Sequence, residues 1–123
     1  MSIISPKNDL DLTYLNEVAD GSDEFIIETI EMFLVQAPEI LETLELAIKN
    51  QDGPTSSSYA HKLKPNLGIF GMLKSQELFR EIEFATKGES PDFSQVASKF
   101  LAAKGYILEN MIALEKIKKE KEA

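Results

Sequence analysis

The stretch from residue 22 to residue 50 reads SDEFIIETIEMFLVQAPEILETLELAIKN. Its apolar residues recur at steps of three and four, which is the spacing of one helix face and not the alternation of a β-strand. The stripe consists of Ile26, Ile30, Phe33, Leu34, Ala37, Leu41, Leu44 and Ile48. Ser22 is a favoured N-cap residue, and the apolar phase continues across Pro38. The stretch therefore predicts one long amphipathic helix with a kink at Pro38.

Three further segments carry the same apolar spacing and are separated by turn-forming residues. The first spans about residues 54–69, the second about residues 72–87, and the third opens at Ser90 or Pro91. Their expected inner positions are Ala60, Leu63, Leu67 and Phe70; then Leu73, Leu78, Phe79, Ile82 and Ala85; then Phe93, Val96, Phe100, Ala103, Ile107, Met111 and Leu114. Long amphipathic segments joined by short turns favour antiparallel neighbours that bury their stripes against one another.

A shorter helix is predicted before these four. Asp9 and Asp11 are candidate caps, and Gly21 is a candidate end. Its apolar side would consist of Leu10, Leu12, Leu15 and Val18. The fold class expected is all-α: an antiparallel up-and-down four-helix bundle with a short extra N-terminal helix. We expect a single domain over residues 1–123, with frayed ends at 1–8 and in the Lys- and Glu-rich tail 115–123.

Composition excludes several classes of function. The 123 residues include 21 acidic and 13 basic side chains, a net charge of −8, so no general nucleic-acid binding is expected. Because cysteine is absent and histidine occurs once, disulfides, thiolate metal sites and sites with two imidazoles are excluded. No apolar run approaches the roughly 20 residues of a membrane span, and the N-terminus lacks the pattern of a secretion signal. The expected location is the cytoplasm, with no membrane association.

The single histidine, His61, lies about 100° around its helix from the inner stripe. It belongs to a strip of polar or small residues: Ser57, Ser58, His61, Lys64, Pro65 and Gly68. The ring should therefore point to water, where a mostly neutral imidazole can act as a nitrogen nucleophile. Lys64, one turn away, would hold positive charge beside a phosphoryl group arriving at His61. Most single histidines on helix surfaces have no chemical role, so this pattern alone does not decide whether His61 has one.

The run AHKLKPNLGIFG at residues 60–71 resembles the signature of histidine-containing phosphotransfer (HPt) domains. That family reads His-x-Leu-Lys-Gly, followed by small or apolar residues and a later glycine. The matching residues are His61, Leu63, Lys64, Gly68 and Gly71. The flanking stretches FLVQAPE (33–39) and LFREIE (78–83) also resemble the family. The departure is Pro65, which stands where the family has a small residue; a bend in the helix is expected there, because proline cannot donate to the carbonyl of His61.

The resemblance implies an HPt-like domain that relays phosphoryl groups and is not itself an enzyme. His61 would accept a phosphoryl group from a receiver-domain phospho-aspartate, or from a hybrid histidine kinase, and pass it to the aspartate of a response regulator. Lys64 would stabilise the phosphate. The expected partner-binding residues are Lys62, Pro65, Gly68, Ile69 and Met72. No cofactor or metal is expected on this chain, since Mg²⁺ would sit on the partner receiver only, and a monomer is expected.

Two other functions are compatible with the same bundle. A helical adaptor module would use the surface without phosphotransfer chemistry. A hydrolase with His61 as general base is disfavoured, since no orienting acid or oxyanion donor is apparent from the sequence.

Overall fold

The computed structural model describes residues 8–123, and every regular element in this range is an α-helix. The helices are α1 Thr13–Ala19, α2 Asp23–Lys49, α3 Gly53–Ile69, α4 Leu73–Lys87 and α5 Phe93–Glu122. This confirms the predicted all-α fold with a short extra N-terminal helix. Residues 1–7 of the expected frayed end 1–8 lie outside the described residues.

The four long helices pack as a closed bundle. α3 packs against α2 and α4, α5 packs against α2 and α4, and α1 lies on α2. Turns of three residues, 50–52 and 70–72, and one of five residues, 88–92, make consecutive helices antiparallel. α3 and α5 are therefore diagonal in the bundle, and the outer face of α3 is directed away from α5.

The core contains the predicted stripes of α2 and α3. All four inner residues of α3, Ala60, Leu63, Leu67 and Phe70, are buried. In α2 only Leu34 of the predicted stripe is half-buried, and the rest are buried. Fully burying a Leu or Phe side chain contributes about 1.5–3 kcal/mol, so these stripes fix which face of each helix remains in water.

α2 runs without interruption through Pro38. The Ser22 hydroxyl accepts from the N–H of Phe25 at 3.1 Å, which confirms the predicted N-cap. Pro38 lies on the exposed side of the helix, where the Leu34 carbonyl that loses its N–H donor can be hydrated. The prediction of one long helix across the proline is therefore confirmed.

Asp9 has a different role from the cap predicted for α1. The N-cap position of α1 is Leu12, whose side chain makes no cap hydrogen bond, while the carboxylate of the other candidate, Asp11, accepts from the Thr13 N–H at 3.0 Å. The Asp9 carboxylate instead accepts from the Ser75 N–H at 2.8 Å, at the start of α4, and from Asn110 Nδ2 at 2.7 Å. The segment before α1 thus ties α4 to α5. Val18, expected on the inner side of α1, is half exposed.

The inner face of α4 agrees with the prediction only in part: Phe79 and Ile82 are buried, and Leu78 is half-buried. Leu73 and Ala85 are exposed, and the buried positions include Ser75, Glu83 and Thr86. The apolar pattern was misleading because this inner face mixes polar and apolar residues. A carboxylate, Glu83, consequently lies where an apolar residue was expected.

α5 starts and ends at other points than predicted. Its N-cap is Asp92, not Ser90 or Pro91; the Asp92 carboxylate accepts from the N–H groups of Ser94 and Gln95 at 3.1 and 3.2 Å. At the other end the expected frayed tail, residues 115–123, is helical through Glu122. Lys121 pairs with Asp23 of α2 at 3.0 Å, which holds this tail against the bundle. No described helix is both long enough and apolar enough to cross a membrane.

Candidate functional site

His61 lies on the outer face of α3, near the middle of the helix. Its neighbours Ala60 and Leu63 face the core, and the rotation between helix positions turns His61 outward. The His61 side chain is 68% exposed. The predicted access of this ring to solvent is confirmed.

A buried carboxylate orients the ring. Nδ1 of His61 lies 2.9 Å from Oε2 of Glu83, on α4, and the Glu83 side chain is only 8% exposed. An ionised carboxylate can only accept a hydrogen bond, so the hydrogen of the neutral ring resides on Nδ1. The lone pair of Nε2 is then directed away from Glu83. The geometry therefore selects Nε2 as the nucleophilic nitrogen.

Two lysines keep Glu83 ionised. Lys64 Nζ lies 2.7 Å from Oε1, and Lys87 Nζ lies 3.3 Å from Oε2. The hydrogen bond from Lys64 is the main reason that the pKa of Glu83 falls from 4.5 to about 2, with further hydrogen bonds from Lys87 and His61. Burial acts in the opposite direction and is outweighed. Glu83 is thus a carboxylate throughout the physiological pH range.

The position of Lys64 adds to what the sequence predicted. Its ammonium lies within the His61 site, as expected, but it is half-buried and already paired with Glu83. Around the imidazole the structure therefore brings together two ammonium groups and one carboxylate. Ser57, expected on the exposed strip, is buried, and its hydroxyl donates to the Glu83 carbonyl at 3.4 Å.

Gly68 leaves room on α3 for the side chain of Gln76, on α4. A Cβ added at Gly68 would lie 2.7 Å from Nε2 of Gln76, whose amide donates to the Lys64 carbonyl at 3.1 Å. The space above Gly68 is thus occupied by this chain's own Gln76. Pro65 is exposed, and α3 continues through it to Ile69.

The remaining predicted contact residues divide into two groups. Lys62 is exposed, with Nζ 5.3 Å from the centre of the Tyr59 ring, and Ile69 is half-buried at the surface of α3. Met72 is fully buried, so its predicted contact with a partner is wrong. It sits at the N-cap position of α4, and the turn between the helices directs its side chain into the core.

An apolar cavity of about 300 Å³ lies between α1, α2 and the C-terminal end of α3. It is lined mainly by apolar side chains, among them Tyr14, Val18, Phe25, Met32 and Ile69. Sequence reasoning missed this cavity because α1 closes one side of it, and the packing of α1 on α2 is a tertiary contact.

Sequence reasoning also missed Glu83, Lys87 and Gln76. All three are on α4, and their relation to His61 depends on how α4 packs against α3. One signal was available: Glu83 adjoins Ile82 and follows Phe79 by one turn, so it is an acidic residue on the apolar face of its helix.

Comparisons with known proteins agree with this geometry. A family model described as Hpt domain matches residues 28–116, a range that includes His61, Lys64 and Glu83. The crystal structure of the HPT domain from the Hpt sensor hybrid histidine kinase from Shewanella is 23% identical, with a TM-score of 0.78. The similarity covers 91% of this chain and 95% of that chain, and it shows a shared fold. A comparison with curated protein sequences found no significant match.

Proposed function

Since the chain belongs to the Hpt domain family, and is thereby a phosphotransfer module of two-component signalling, we propose that Nε2 of His61 carries the phosphoryl group. The donor is either the phospho-aspartate of a receiver domain or a hybrid histidine kinase. The acceptor is the aspartate of a response regulator. The observation that carries this proposal is the 2.9 Å contact from Nδ1 of the exposed ring to Glu83.

The transfer is an in-line displacement at phosphorus. The Nε2 lone pair forms the N–P bond while the P–O bond to the partner aspartate breaks, and that aspartate leaves as a carboxylate. The ring keeps its hydrogen on Nδ1 and therefore acquires a positive charge when Nε2 is phosphorylated. Glu83 stabilises that charge across the same hydrogen bond. In the reverse step the neutral ring leaves, which makes His61 a reversible carrier.

Lys64 is the proposed phosphate-stabilising residue. Its ammonium exchanges Oε1 of Glu83 for an oxygen of the arriving phosphoryl group, which carries charge on its equatorial oxygens. Lys87, 3.3 Å from Oε2, keeps Glu83 paired during this exchange. The ion pair to Glu83 therefore holds Lys64 close to His61 and still allows its ammonium to bind the phosphoryl group.

The receiver docks over the outer face of α3. Lys62, Pro65 and Ile69 are the proposed contacts on α3, and the apolar cavity beside Ile69 extends this surface toward α1 and α2. Gly68, covered by Gln76, contributes through the close packing of α4 and not through an open approach. Mg²⁺ is assigned to the receiver, and a monomeric, cytoplasmic carrier without cofactors remains our prediction.

The test is phosphoryl transfer from a purified, radiolabelled phospho-receiver to this chain. We expect a label that is labile in acid and stable in base on the wild type, and none on His61→Gln. Circular dichroism checks that the variant is folded. Label that persists on His61→Gln would overturn the assignment of His61, and binding of receivers without any transfer would support the adaptor function instead.

A further inference from the structure

α4 presents a mixed apolar and cationic surface next to His61. Phe84 is 69% exposed, and the side chains of Arg80 and Lys87 are 49% and 62% exposed. Together with Lys64 and Glu83, these residues line a shallow cavity of about 250 Å³. We infer that Arg80, Phe84 and Lys87, here called the α4 patch, bind the acidic surface around the phospho-aspartate of the partner receiver. This inference rests on the proposed function.

The α4 patch is continuous with the reaction site. Residues 80, 84 and 87 are separated by four and three positions, so they share one face of α4. Glu83, on the same side of that helix, holds both His61 and Lys64. A partner that reaches Nε2 of His61 from the α4 side must therefore cover these three side chains.

The exposure of Phe84 is the first argument for a partner. A single exposed apolar residue is unremarkable, and this chain has others. Phe84 differs in its setting: it lies in a concave surface that it shares with Arg80 and Lys87 and with Lys64 and Glu83 of the His61 site. Aromatic residues and arginine are the side chains most enriched where protein partners bind tightly.

Charge is the second argument, and it selects the kind of partner. The whole chain has a net charge of −8, but three cations, Lys64, Arg80 and Lys87, line this one cavity against a single carboxylate, Glu83. Arg80 is also held by Glu77 on the next turn of α4. A receiver presents carboxylates and a phosphoryl group around its aspartate, which complements this charge. A second copy of this acidic chain would bring a further −8 and is disfavoured.

The decisive variant is Phe84→Ala, with Ile112→Ala as matched control. Ile112 is 67% exposed on the outer face of α5, which packs on α2 and α4, so the control removes a similar apolar surface elsewhere. Two reactions are measured: labelling of His61 by phosphoramidate, which needs no docking, and transfer from the phospho-receiver that labels the wild type fastest. We expect Phe84→Ala to raise the receiver concentration for half-maximal transfer about tenfold, with phosphoramidate labelling unchanged.

A charge variant tests the second argument independently. Arg80→Glu should weaken transfer in the same direction, and raising the salt concentration should slow the wild type more than this variant. The inference would be overturned if both variants needed the same receiver concentration for half-maximal transfer as the wild type. It would also be overturned if Ile112→Ala raised that concentration as much as Phe84→Ala does. A parallel fall in phosphoramidate labelling of Phe84→Ala would also overturn it. Failure of every phospho-receiver to label the wild type at His61 would instead refute the proposed function.

Discussion

Replacing Glu83 by glutamine should separate two effects of the buried carboxylate: its hydrogen bond orients His61, and its negative charge stabilises the cluster. Glutamine keeps the shape of the side chain and can still accept from Nδ1 of His61. It removes the charge that pairs with Lys64 and Lys87 at 2.7 and 3.3 Å. The variant should therefore fold with His61 in place but lose the electrostatic stabilisation of the cluster.

The size of the loss follows from the pKa of Glu83. A fall from 4.5 to about 2 reflects a preference of the folded state for the ionised form. At about 1.4 kcal/mol per unit this is about 3 kcal/mol, and screening at a site that opens to solvent reduces it to roughly 1–2 kcal/mol. Because the folded pKa is the lower one, this stability is fully present above about pH 4.5. It is lost progressively as the pH falls toward 2.

The assay is urea unfolding followed by circular dichroism at pH 7 and at several values between pH 5 and pH 2. The wild type should lose stability across this interval more steeply than Glu83→Gln, and the two curves should converge at the acidic end. Glu45→Gln, which removes an exposed carboxylate paired with Lys104, is the control and should leave the slope close to that of the wild type. Equal pH slopes for wild type and Glu83→Gln would refute the argument that Glu83 is held ionised by the two lysines.

Three further substitutions test neighbouring parts of the site. Lys64→Ala should slow phosphoryl transfer by about ten- to a hundredfold, measured by label transfer. It should leave a folded protein, and unchanged transfer would exclude Lys64 from the reaction. Asp9→Ala removes the acceptor at the start of α4 and should lower the free energy of unfolding by about 1–2 kcal/mol; a change within error would show that the segment before α1 does not support the bundle. Gly68→Ala places a Cβ 2.7 Å from Nε2 of Gln76, so the flexible Gln76 side chain must move and give up its hydrogen bond to the Lys64 carbonyl. Because alanine is favoured over glycine in a helix by about 1 kcal/mol, the free energy of unfolding should change by less than about 1 kcal/mol; a loss above about 2 kcal/mol would show that Gln76 cannot move.

The sequence predicted those features that follow from a regular spacing of apolar residues along one helix. The stripe of α2 continues through Pro38, and the stripe of α3 places Ala60 and Leu63 inward, so the outward direction of His61 followed from spacing alone. The same reasoning was right for Phe79 and Ile82 of α4 but wrong for Leu73 and Ala85, which are exposed. Spacing identifies a face only when that face is uniformly apolar, and the inner face of α4 also carries polar residues.

The partners of His61 could not be predicted in the same way. Glu83 follows His61 by 22 positions. The two residues meet because α4 folds back against α3 and the two helices are aligned so that these side chains face each other. That alignment depends on how the buried side chains of the two helices pack against each other, which the spacing of apolar residues along one helix does not reveal. The sequence by itself thus determined that His61 would be exposed to solvent on the surface of a helical bundle. The packing of one helix on another decided which nitrogen of that histidine would be left to react.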